Sequence, residues 1–173
     1  TSPAADSYIN LANQGFFFFF LDCSENGNTV TFAGAASGST TCYGGHFSKS
    51  VDVSGAPDGM SVVIGVDHQD TAHNPAPQST RSFKKDTIAP SFTLTNPSDG
   101  FPVNNSNVGS VTFSGTCSAP DRDIVFDIYP EYTGPINIIC QGGTFSSPVS
   151  LNGKPDGSIT LTASYSDAAG NPA

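Results

Sequence analysis

The chain has 173 residues, 36% of them hydrophobic, which is long enough for one domain or two small ones with packed cores. Its 15 acidic residues against 6 basic ones give a formal charge of -9, which repels phosphate backbones and anionic lipid surfaces and argues against a nucleic-acid partner. With Gly 18, Pro 13, abundant Ser, Thr and Asn, and no long run of apolar residues three and four apart, the composition predicts many short strands and little helix.

The elements follow in order. Strands are expected near 16–23, 29–32, 40–43, 46–53, 60–67 and 78–85, then near 91–95, 110–117, 124–129, 136–140, 144–151 and 158–165. Turn signals such as Asn-Pro-Ser-Asp-Gly, Ala-Pro-Asp, Gln-Gly-Gly and Lys-Pro-Asp-Gly separate those of the second half. The one strongly apolar run, 16–21, is too short to span a bilayer, so no membrane insertion is expected. No signal peptide opens the sequence, and export would imply one that is removed or lies outside this segment.

The second half repeats the first. At an offset of 94, Pro3, Asn10, Asn13, Gly15, Phe19, Cys23 and Ser24 fall on Pro97, Asn104, Asn107, Gly109, Phe113, Cys117 and Ser118. After a four-residue insertion the offset becomes 98, and CYGGHFSKSVDVSGAPDG falls on CQGGTFSSPVSLNGKPDG. Two modules follow, 1–85 and 86–173, each an all-β immunoglobulin-like sandwich of short strands. Only the stretch 77–95 occurs once. It supplies the last strand of module 1 and the first of module 2, so each module is expected to lack one terminal strand. One more copy of that stretch, from the continuing chain or from a neighbour, would complete both.

The four cysteines fall as one pair per module, Cys23 with Cys42 and Cys117 with Cys140. Neither pair has zinc or Cys-x-x-Cys redox spacing, which favours disulfides in an oxidising compartment, each stapling a local hairpin-like region. In the phenylalanine run, alternation puts Phe17 and Phe19 inward with Val111 and Phe113. Phe16, Phe18 and Phe20 then face outward, where module 2 has Ser110, Thr112 and Ser114. Three outward phenylalanines are candidates for contact with another subunit. Asp86, Asp70, Asn74 and Asp99 carry oxygens suited to calcium at the module junction, although Asp86 and Asp167 in such turns also cap the backbone; no other cofactor or metal is expected. His46, His68 and His73 lie opposite Thr144, approximately Ser166, and Gly170, and no catalytic triad or paired carboxylates can be assembled around them.

Asp86-Thr-Ile-Ala-Pro90, Gly115-Thr-Cys-Ser118 and Asp167-Ala-Ala-Gly-Asn171 resemble the tandem immunoglobulin-like repeats of large bacterial surface and secreted proteins. SPAADSYIN, SENGNTVTFAGAASGSTTC and RSFKKDTIAP resemble their cysteine-bearing variety. The resemblance implies a non-enzymatic extracellular or cell-surface stalk or fibre, partnered by other repeats of the same chain or by identical subunits. An adhesin or carbohydrate-binding module is the alternative, weakened by the absence of Trp from the sequence.

Overall fold

Turn chemistry decides where the strands reverse. Between Tyr43 and His46 the backbone passes through Gly44 and Gly45 at φ 64° and 83°; Gly142 and Gly143 repeat this at 57° and 85°. The flanking residues exchange backbone hydrogen bonds, Tyr43 N–H to His46 O at 2.8 Å and His46 N–H to Tyr43 O at 3.2 Å. Any side chain would be strained in these left-handed conformations, hence the Gly-Gly of both halves.

A computed structural model describes residues 2–130 and 134–173, and every regular element among them is a strand. The chain divides into two compact units, Thr1–Ile88 and Ala89–Ala173. Unit 1 contains β1 (Tyr8–Ile9), β2 (Phe17–Asp22), β3 (Thr29–Gly34), β4 (Gly38–Thr41), β5 (His46–Val51), β6 (Ser61–His68) and β7 (Ser79–Lys85). One of its sheets runs β1-β7-β6-β3-β4; the other pairs β2 with β5. Unit 2 contains β8 (Phe92–Asn96), β9 (Val111–Cys117), β10 (Asp123–Tyr129), β11 (Ile136–Ile139), β12 (Thr144–Val149) and β13 (Thr160–Ser164). Its sheets run β11-β10-β13 and β12-β9-β8.

Each unit is an immunoglobulin-like β-sandwich with its own core, built by alternation along the strands. Phe17 and Phe19 of β2 meet Val30 and Phe32 of β3, Phe47 of β5 and Phe83 of β7. In unit 2 the same layer is Val111 and Phe113 of β9, Ile124 and Phe126 of β10, and Phe145 of β12. Its rings pack edge-on: Phe113 and Phe126 lie 5.4 Å apart at 79°, a favourable aromatic geometry.

Three features differ from the sequence reading. A short strand, β1, stands ahead of the phenylalanine run and pairs parallel with β7, Tyr8 opposite Lys84 and Ile9 opposite Lys85. The disulfides Cys23–Cys42 and Cys117–Cys140 do not staple local hairpins. The chain changes sheet between the two cysteines, so each bond ties the end of β2 or β9 to the residue after β4 or β11 in the opposite sheet. His68 falls on Tyr165, one residue before Ser166: the bridge Gln69–Pro75 matches Ser166–Pro172, an offset of 97 caused by one extra residue, Met60, ahead of β6. Tyr165 is buried, and its hydroxyl donates to Ala119 O at 2.5 Å and accepts from Ala119 N–H at 2.8 Å.

Candidate functional site

In unit 1, β7 lies between two strands, antiparallel to β6 with Phe83 opposite Val62, and parallel to β1. Phe83 is 1% exposed and stands edge-on to Phe17 and Phe19, with ring centroids 4.9 and 5.8 Å away. Two residues on, Lys85 turns back into the unit, where its ammonium donates to the carbonyls of Val53, Ser54 and Ala56 at 3.2, 2.7 and 2.5 Å. Burying an ammonium is costly unless acceptors replace its water, and these three carbonyls do so. Thr87 closes the junction by donating its N–H and hydroxyl to the Asp58 carboxylate at 2.7 and 2.8 Å.

Unit 2 has the same walls around an open slot. β13 pairs with β10 on one side and, among the described residues, with no strand on the other. A cavity of about 800 Å³ runs there, lined by Leu94, Val103, Val111, Phe113, Ile159 and Leu161 among others. Val111 and Phe113 hold the repeat positions of Phe17 and Phe19; Ile159 and Leu161 hold those of Val62 and Ile64. Beneath β7, Val62 and Ile64 are 3% and 1% exposed, whereas Ile159 and Leu161 are only half-buried.

The other sheets show the reverse asymmetry. β9 sits between β12 and β8, but β2 has β5 on one side and, among the described residues, only an isolated bridge on the other, where Ser2 and Phe20 exchange backbone hydrogen bonds at 2.9 and 2.8 Å. By the repeat offset this bridge corresponds to the Asn96–Ser114 pair that ends the β8–β9 ladder.

Phe16, Phe18 and Phe20 are 79%, 51% and 43% exposed beside that edge. The Phe20 ring stacks on His46 at 5.4 Å, and His46 Nδ1 lies 2.8 Å from an Asp22 carboxylate oxygen. The sequence-designated histidines are not brought together: His68 Nδ1 donates to Thr29 O at 3.1 Å, and His73 sits in the Asp70–Asn74 turn. Asp70 accepts from the backbone and side-chain N–H groups of Asn74, both at 2.8 Å. These bonds, the side-chain one foremost, hold the exposed Asp70 carboxyl below the ordinary aspartate value of 3.8. Asp167 and Asn171 repeat the turn in a buried setting. The Asp86 carboxylate accepts locally from Ile88 N–H at 3.1 Å, and Asp99 lies among the residues around the unit 2 cavity. Among the described residues no group of three or more His, Cys, Asp or Glu is placed to hold a metal.

A scan of protein-family models finds no match to the chain, and a search of curated proteins finds none either. The residues that sequence reasoning missed are Lys85, Asp58 and Tyr165. A signal for Asp58 was present, since Pro-Asp-Gly stands in both halves at 57–59 and 155–157. Read as a turn, it gave no reason to expect a carboxylate that grips a strand junction.

Proposed function

We propose that the chain is a non-enzymatic extracellular structural segment, two repeats of a bacterial surface stalk or polymeric fibre, partnered by other repeats of the same polypeptide or by identical subunits. The observation that carries this reading is the placement of two consecutive strands. β7 completes a sheet of unit 1 and β8 completes a sheet of unit 2. Chain that crosses from one unit to the next is therefore the material from which both sandwiches are closed. The two disulfides fit an oxidising environment, and the exposed phenylalanines of β2 offer lateral contact to a neighbour. A sheet edge of this kind recruits strands by β-augmentation, with main-chain hydrogen bonds giving affinity and alternate side-chain pockets giving specificity.

Electron microscopy of the purified, oxidised chain tests the proposal. Filaments, or oligomers that grow with concentration, are expected. Compact monomers at every concentration would overturn the polymeric form of the reading.

A further inference from the structure

The open slot of unit 2 is walled by the repeat counterparts of the groups that hold β7 in unit 1, and each sets a requirement on what fills it. On one wall, Ile159, the residue before β13, holds the repeat position of Val62, which faces Phe83 in unit 1. On the facing wall of unit 1, Asp6 N–H donates to Ser82 O at 3.0 Å, while Ser7 O and Ile9 O accept from the N–H groups of Lys84 and Asp86 at 3.1 and 2.9 Å. The repeat puts Gly100, Phe101 and Val103 in these places and keeps the backbone shape, with φ 60° at Asp6 and 71° at Gly100.

The polar lock at the far end is copied too. Val53 N–H bonds Gln14 O at 2.8 Å and Ala56 N–H bonds Val53 O at 3.1 Å; Leu151 N–H bonds Val108 O at 2.8 Å and Lys154 N–H bonds Leu151 O at 3.2 Å. The carbonyls of Leu151, Asn152 and Lys154 thus occupy the repeat positions of the three that receive the Lys85 ammonium. Asp156 follows at the position of Asp58. Gly157 follows at that of Gly59, whose N–H donates to Lys85 O at 2.9 Å.

We infer that this slot accepts an extended segment of Phe-x-Lys-x-Thr spacing, a further copy of the β7 sequence, running antiparallel to β13 and parallel to the 97–103 segment. Its Phe sits opposite Ile159 against Val111 and Phe113, its Lys on the three carbonyls, and its Thr on Asp156. The inference rests on the strand-completion reading and adds the register of the occupant and the side chains by which the slot recognises it. An arbitrary apolar strand would fill the space between Val111 and Leu161 but would bring neither an ammonium to the carbonyls nor a hydroxyl to the carboxylate.

A fluorescent peptide with the sequence of residues 79–90, titrated into the whole oxidised chain, tests this. Saturable binding with one peptide per chain is expected, with photo-crosslinks to β13. Peptides carrying Phe83→Ala or Lys85→Met should each bind about tenfold or more weakly, and a reversed sequence should not bind. A second variant repeats residues 77–90 directly after Ala173, which stands at the repeat position of Ala76. It should melt higher and no longer bind the peptide. The inference is overturned if the folded chain ignores the peptide and the extended variant melts unchanged, if both substituted peptides bind as well as the parent, or if crosslinks fall in unit 1 through exchange of its own β7. Filaments without peptide binding would sink the inference and leave the assembly reading standing; peptide binding by a chain that stays monomeric would do the opposite.

Discussion

Lys85 is the residue on which the β7 junction turns. Its stem is buried and its ammonium answers three carbonyls that no other cation reaches in the described hydrogen bonds. Lys85→Met keeps the apolar stem but removes the charged donor from all three carbonyls, of which Val53 O keeps its bond from Ala56 N–H, so a loss of about 2–3 kcal/mol is expected, read from urea unfolding of the disulfide-intact chain. Asp70 makes a finer statement. Because its two bonds from Asn74 hold the folded carboxyl below 3.8, the stabilisation is present above that pH and is lost as the pH falls through the folded value. In Asn74→Ala the larger of the causes is gone, so the Asp70 midpoint in a carbon-detected NMR titration should rise towards the ordinary value. An unchanged midpoint would show that the side chain of Asn74 contributes nothing.

At the level of elements, β2 separates two jobs that its run of identical side chains conceals. Phe17 and Phe19 face the core, whereas Phe18 and Phe20 look out beside Ser50 and Ser48 of β5. Replacing Phe16, Phe18 and Phe20 by the Ser, Thr and Ser of the matching positions in unit 2 should therefore leave the unfolding midpoint nearly unchanged while lowering dye binding and self-association. Loss of fold in that triple variant would mean the outer rings are structural. The disulfides act between elements in a different way, tying one sheet to the other. The loop closed by Cys117 and Cys140 spans 23 positions, for which removal of the bond by Cys117→Ala with Cys140→Ala costs about 3 kcal/mol in the chain-entropy account. Much of this arrangement was legible, because a repeat marks its own strands: alternation and Gly-Gly turns placed β2 and β9, β5 and β12, with small errors at the ends. What stayed hidden was non-local. β1 is too short for any periodicity and exists only because β7 runs beside it. The change of sheet between paired cysteines has no local signature. Lys84-Lys85 reads as two solvated cations until the fold turns the second one inward.

The whole molecule is two copies of one sandwich whose β6-type strands have different surroundings. β6 is hydrogen-bonded on both sides, by β3 and β7, while β13 has β10 alone among the described residues. Amides of β13 should consequently exchange with solvent faster than those of β6, since edge backbone with half-buried side chains opens at lower cost. Peptide-resolved hydrogen exchange distinguishes the two directly, and equal protection would contradict the assigned edge. The same comparison predicts an order of unfolding. Phe83 buries a full aromatic ring in unit 1, and the slot in unit 2 stands open where such a ring would pack, so unit 2 should lose protection at lower urea concentration. Phe83→Ala removes about 3–5 kcal/mol from unit 1 alone. In that variant the gap between the two units should close or invert, while the β13 amides keep their original midpoint because no residue of unit 2 has been touched.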